Sequence, residues 1–157
     1  MFNYRLEHIF SYSAAIRWPL EVIGETPSGL RMNTYIDGGD VWGPRVQGRV
    51  LPVGADWLTI RPDGIGILDV RGTLETHDGA LLYVSYTGVM DLGPDGYRNV
   101  LQGISPGKVA MQTAPRILTS HPEYLWLNRV QCVNVGMSDF EAKTASYDVY
   151  AVRSEVK

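Results

Sequence analysis

The chain has 157 residues, 45% of them apolar and 20% charged, a composition that suits one folded domain and excludes a disordered polyelectrolyte. Its net charge of −3 and pI near 5.5 argue against nucleic acid as a partner, because phosphate-binding surfaces concentrate Lys and Arg. A single cysteine, Cys132, excludes an intrachain disulfide.

The N-terminal stretch Met1–Phe10 carries Arg5, Glu7 and His8, which interrupt the apolar core that a secretory signal needs. No later stretch is long and apolar enough to span a bilayer as a helix. A cytoplasmic protein without a membrane partner is the expectation. The 17 glycines and 9 prolines are scattered in short clusters, separating runs rich in Val, Ile, Leu, Tyr and Thr. That pattern predicts many short antiparallel strands. Strands are expected near residues 4–12, 20–24, 31–37, 45–51, 57–61, 64–76, 80–89, 113–118, 126–135 and 145–153. Helix is expected only as a turn or two within 96–103 and a short capped turn at 120–124, with Pro122 early in it. So many strands with so little helix must hide an apolar face by curling, so the fold class predicted is all-β, a closed antiparallel barrel of about ten strands forming one domain over residues 1–157.

The sharpest local signal is Thr76-His77-Asp78-Gly79-Ala80. Asp-Gly between two β-rich runs suits a two-residue type I′ turn. That turn would pair Thr73 with Val84, Arg71 with Tyr86, and Asp69 with Gly88. Side chains alternate along a strand, so Asp69, Arg71 and Tyr86 would share one face, opposite Leu68, Val70, Leu74 and Tyr83. Hairpin geometry leaves two readings open. Either the polar face is a solvated surface pair, or it lines a pocket.

Elsewhere the chemistry is sparse. His8, His77 and His121 lack metal-ligand spacing, and no nucleophile elbow, phosphate loop or dinucleotide fingerprint occurs, so no metal or other cofactor is expected. Gly38-Gly39 and Gly43-Pro44 read as turn residues. Cys132, between Val130 and Val133, reads as a buried inert thiol. Acid–base chemistry by carboxylates, tyrosines and arginine remains. Asp56, in Gly54-Ala55-Asp56-Trp57, is either a turn-forming aspartate or an acid. Trp42, Trp57 and Trp126 are core fillers or aromatic walls for a flat or cationic species. Asn128, two residues beyond Trp126, would share its strand face and need a partner.

Several of these pieces resemble the small-barrel family known as domain of unknown function three-two-three-seven. They are Glu21-Val22, Thr26-Pro27-Ser28-Gly29, Gly38-Gly39, Gly43-Pro44-Arg45-Val46-Gln47-Gly48, Gly54-Ala55-Asp56-Trp57 and Arg61-Pro62-Asp63-Gly64. Further on come Leu68-Asp69-Val70-Arg71, Asp78-Gly79-Ala80, Tyr124-Leu125-Trp126-Leu127-Asn128 and Val135-Gly136. Ala55 departs from a usual glycine, and residues 91–112 look individual to this chain. The resemblance implies a ten-strand barrel with an internal pocket, often a dimer or larger homo-oligomer, and turns the Asp69/Arg71/Tyr86 face inward. It also implies kinship with cyclase-like enzymes of secondary metabolism that add a hydroxyl across an alkene.

The resulting expectation is a cofactor-free acid–base enzyme of isomerase or lyase type on a small apolar or aromatic molecule. Asp56 or Asp69 would be the acid, with Asp56 favoured because Arg71 lowers the pKa of a carboxyl paired with it. Arg71 would orient Asp69, Tyr86 would relay or anchor, and Arg45, Trp57, Trp126 and Asn128 would contact substrate. The alternative is a non-catalytic barrel that binds a small molecule.

Overall fold

The structure, a computed structural model, describes residues 2–155. The expected alternation of β-branched and aromatic residues with small or polar ones is realised in ten strands. They are β1 (Asn3–Ile16), β2 (Glu21–Thr26), β3 (Gly29–Trp42), β4 (Gly48–Ile60), β5 (Ile65–Thr76), β6 (Leu81–Asp91), β7 (Lys108–Thr113), β8 (Arg116–Leu118), β9 (Cys132–Asp139) and β10 (Thr144–Glu155). Eight of them form a closed antiparallel ring in the order β1-β10-β9-β7-β6-β5-β4-β3 and back to β1, while β2 extends β3 and β8 pairs with β6. Closure removes the unpaired edges that an open sheet exposes.

The seam lies between β1 and β3, from Ser11 opposite Trp42 to Ile16 opposite Ile36. Gly38-Gly39, expected in a turn, lies inside β3 at this seam. Gly39 has φ +152°, and a Cβ there would collide with the Ser13 carbonyl of β1, so the two backbones meet only because the side chain is missing. The β3–β4 register shifts between Tyr35 and Gly39, the irregularity with which a sheet turns a barrel corner.

One end of the ring is stoppered by a 3-10 helix, Pro122–Arg129, whose Leu127 is 1% exposed in the core. The strand expected over 126–135 therefore begins only at Cys132. Asn128 explains the difference: its Oδ1 accepts from Thr119 N at 2.8 Å and its Nδ2 donates to Thr119 O at 2.9 Å. Such local side-chain-to-backbone bonds compete with a strand ladder. Beyond β6, α1 (Gly96–Leu101) fulfils the expected short helix and is tied to β2 by Tyr97 Oη donating to Glu25 Oε1 at 2.8 Å.

The β5–β6 hairpin corrects the expected register. Thr76 N donates to Ala80 O and Gly79 N to Thr76 O, both at 2.9 Å, which makes a three-residue loop of His77, Asp78 and Gly79. Only Gly79 has positive φ (+82°), whereas a type I′ turn needs it at Asp78 too. Every pair therefore moves by one residue: Arg71 faces Ser85, Asp69 faces Thr87, and Tyr86 faces Val70. Because the side-chain period is two, this slip moves Tyr86 to the face of Leu68 and Val70, away from Asp69 and Arg71. It also moves Tyr83 off that face, to an exposed position.

Candidate functional site

An eight-strand ring is just wide enough for side chains to fill it or for one small ligand. Here it is incompletely filled. A cavity of about 90 Å³ runs inside the ring, walled by apolar groups such as Phe10, Leu58, Val70, Met111 and Ile117. At ~15 Å³ for each water-sized position, that is room for several non-hydrogen atoms. Its mouth lies between the β1–β2 and β9–β10 connections, where the Lys143 ammonium sits 5.3 Å from the centre of the Trp18 ring.

Into this apolar lumen β4 projects one carboxyl, Asp56. Parity explains why: Asp56 shares the strand parity of the inward-facing Leu58 and Ile60 on β4, and its cross-strand neighbours are Thr34 on β3 and Val70 on β5. No side chain of opposite charge pairs with it among the described residues; Oδ1 accepts instead from the backbone N–H of Asp69 at 2.9 Å. Burial disfavours the charged form and pushes Asp56 up to about 7. The Asp69 N–H and, more weakly, Arg31 pull it down, and the negative charge of Asp69 pushes it up.

Three phenols share the chamber. Tyr86 on β6 reaches across the ring to Tyr12 on β1, their hydroxyls hydrogen-bonded at 3.0 Å. Tyr147 on β10 lies directly opposite Tyr12, with ring centroids 5.3 Å apart, and meets Tyr86 edge-on at 5.7 Å. Burial holds all three well above the usual tyrosine range, so each is a neutral phenol at any physiological pH; the charges of neighbouring phenols add to this. The charge of Asp56 also reaches Tyr86 and Tyr147. Tyr12 donates its proton to Tyr86, and Tyr147 Oη donates to Met111 Sδ at 3.1 Å, so the cluster places a carboxyl that can hold or release a proton near neutrality beside buried phenols of which Tyr86 alone has no acceptor among the described residues.

Of the residues singled out in the sequence, Asp56 and Tyr86 line this lumen. Asp69 and Arg71 do not, which corrects the inward face implied by the family resemblance. They form an ion pair at 3.3 Å on the outer wall, their side chains 41% and 50% exposed, with the Arg71 guanidinium 5.3 Å from the Trp57 ring. Trp57 is therefore outside as well. Arg45 pairs with Glu7 at 2.7 Å and stacks 4.3 Å from the Trp126 ring. With Asn128 bound to Thr119, this group belongs to the stoppered end, and none of Arg45, Trp57, Trp126 or Asn128 lines the cavity. Cys132 is 1% exposed, its thiol pushed up by burial to about 11, as an inert core cysteine should be.

Tyr12, Tyr147 and Asn134 were not anticipated. Each stands at the inward parity of its strand, Tyr12 between Phe10 and Ala14 and Asn134 two residues from Cys132, but only the closed ring shows that they converge. A further chain, His8 Nε2 to Ser11 Oγ at 3.0 Å and Ser11 Oγ donating to Asp148 Oδ1 at 2.5 Å, carries the residue types of a nucleophilic triad in the wrong order. Its carboxylate binds the hydroxyl rather than orienting the imidazole, so it does not activate the serine.

Fold and site together define a small closed β-barrel with an apolar, ligand-sized lumen and one raised carboxyl inside it. The chain belongs to a family described as a protein of unknown function (DUF3237), whose model matches residues 4–152. A UPF0311 protein of Rhodopseudomonas palustris is 35% identical over 93% of this chain and 95% of its own length. Among solved structures, a β-barrel-like protein from Acinetobacter baumannii superposes with a TM-score of 0.83 at 30% identity, covering 96% of this chain and 97% of that one. A structure described as an enzyme from Penicillium herquei shares the fold, with a TM-score of 0.65 at 21% identity, covering 96% and 95%. Among the described residues no helix is long and apolar enough to cross a membrane.

Proposed function

We propose that this barrel is a cofactor-independent acid–base enzyme that works inside its lumen on a small, mostly apolar metabolite, with Asp56 as the proton donor. The observation that carries the reading is a carboxyl without an ion-pair partner among the described residues, raised by burial to about 7, set in a mainly apolar, ligand-sized cavity. Such a group is poised to give and take a proton at working pH. Among the reactions this supports is ring closure by hydroxyl addition to an alkene or enone. The Asp56 proton adds to one alkene carbon, an internal hydroxyl oxygen bonds to the other, and the hydroxyl proton returns to the carboxylate. Atoms balance without a redox partner. Positive charge developing on carbon would face the rings of Tyr12, Tyr86 and Tyr147, and the Tyr86 hydroxyl, which accepts from Tyr12, would donate to a substrate oxygen.

The test begins with small molecules retained by the purified protein, identified by mass spectrometry and returned to fresh enzyme. Conversion to an isomer of equal mass, slowed about a hundredfold or more by Asp56→Asn, is the expected result. Wild-type rates in that variant would clear Asp56 of the role. A compound always recovered unchanged would instead make the barrel a carrier.

A further inference from the structure

The lumen holds a second polar position that the acid–base reading leaves unused. Asn134 on β9 is 2% exposed and lines the cavity, yet neither its Oδ1 nor its Nδ2 has a hydrogen-bond partner among the described residues. Thr113 on β7 sits directly opposite Asn134 in the ladder, so both side chains project from the same face, and its buried Oγ1 also has no partner. Buried amides and hydroxyls are nearly always satisfied, because an unpaired one keeps its full desolvation cost. Asn134 lies on the lumen wall with a second orphan buried beside it on the same face, and a polar group of a ligand in the cavity would give the amide the partner it lacks.

The neighbourhood defines that group. Val149 flanks Asn134 on β10, and Gly88 flanks Thr113 on β6, so the surroundings are apolar. Among the described residues the only cationic side chain lining the cavity is Lys143, exposed at the mouth. An anionic group would find no counter-charge beside Asn134, whereas a neutral one needs none. A primary amide offers an acceptor and a donor side by side, which match a donor and an acceptor held side by side. Strands β9 and β4 lie four apart either way round the eight-strand ring, so Asn134 and Asp56 approach the lumen from opposite walls.

We infer that Asn134, with Thr113 buried beside it, forms an anchoring subsite for a neutral donor–acceptor group of the ligand, a hydroxyl beside a carbonyl or a lactam, holding it so that the rest of its skeleton faces Asp56. This deepens the reading of the lumen as a small-molecule chamber and holds for enzyme and carrier alike. It therefore stands or falls separately from the role of Asp56.

Two ring-sized probes decide it. 2-Pyridone presents an N–H beside a carbonyl, and N-methyl-2-pyridone keeps the carbonyl but loses the donor. Titrated into the ¹⁵N-labelled wild-type protein, 2-pyridone is expected to bind at least tenfold more tightly and to shift the side-chain amide resonances of Asn134. In Asn134→Leu the preference is expected to fall within twofold, with Tm unchanged or raised because an unsatisfied amide has been removed. Equal binding of the two probes, no saturable binding of 2-pyridone, or unmoved Asn134 amide resonances would each overturn the subsite. The wild-type measurements stand even if the leucine variant folds poorly. Asp56→Asn, measured in parallel, is expected to retain the preference.

Discussion

The inner and outer walls of β4, β5 and β6 carry the same kinds of residue and do opposite things with them. Outside, Asp69, Arg71 and Trp57 make a solvated ion pair stacked on an indole. Inside, Asp56 and Tyr86 stand among Leu58, Leu68 and Val70, and the carboxyl has only a backbone N–H for company. Asp56 and Asp69 are close enough that the amide of one bonds the carboxylate of the other. What separates the solvated aspartate from the buried one is the parity of a strand position. The chemistry of this protein is thus decided by which way each residue points, and that in turn by ring closure and a three-residue turn.

The severest way to break the comparison is to invert it. Exchanging two neighbours, Leu68→Asp with Asp69→Leu, keeps composition and charge but sends a carboxylate inward and a leucine out. Leu68 is 3% exposed, so the swap forfeits about 1.5–3 kcal/mol of burial. It also places an unpaired carboxylate in the lumen that Asp56 already occupies, at several kcal/mol more. The expected loss exceeds ~4 kcal/mol, a large part of a domain's usual stability. Urea unfolding checks it: a midpoint near wild type would mean that residue 68 does not face the interior.

Next in size is the pH dependence set by Asp56. Its folded value of about 7 lies above the unfolded value of 3.8, so between them the native state binds more protons than the unfolded chain. Stability from this group is therefore full below about 3.8, declines as pH rises to about 7, and is flat above. The total is roughly 4 kcal/mol from a shift of about three units. Asp56→Asn abolishes the dependence, and is expected to be more stable than wild type at pH 8 while losing activity. Parallel denaturant titrations at pH 5 and pH 8 measure it, and a variant less stable at both would show that the carboxylate is stabilised rather than strained.

A smaller effect is expected at the crossbar of phenols. Tyr86→Phe keeps the ring packing against Tyr147 but removes the hydroxyl bonded to Tyr12, leaving that buried group without its partner. A loss of about 1–2 kcal/mol in unfolding free energy is expected. An unchanged value would mean that the Tyr12 hydroxyl is satisfied elsewhere.

How much of this was legible beforehand follows from the same parity. Alternation and turn residues revealed strands and closure, since both are local or compositional signals. Asp56 was legible as a candidate because few other groups remained. The hairpin misled because Asp-Gly fits two loops, and whether Asp78 or only Gly79 takes positive φ is settled by partners distant in sequence. Tyr124, 46 residues away, bonds the Asp78 carboxylate, as Thr76 does from beside it. Tyr12, Tyr147 and Asn134 come from strands far apart in sequence, and only the pairings β1–β10 and β7–β9 bring them to one chamber.

The finest test asks whether the outer wall is electrically silent to the inner. Asp69 raises its neighbour through charge while lowering it through its amide, and only the first depends on its side chain. Asp69→Asn removes the charge and keeps the N–H on Asp56 Oδ1. The midpoint of Asp56, followed by the side-chain carboxyl carbon resonance, is therefore expected to fall, by less than about one pH unit because the Asp69 carboxylate is solvated. Loss of the exposed pair with Arg71 is expected to change stability by less than about 1 kcal/mol. A rise of the midpoint would mean that the substitution had disturbed the amide, and with it the hydrogen bond from the Asp69 N–H to the Asp56 carboxyl.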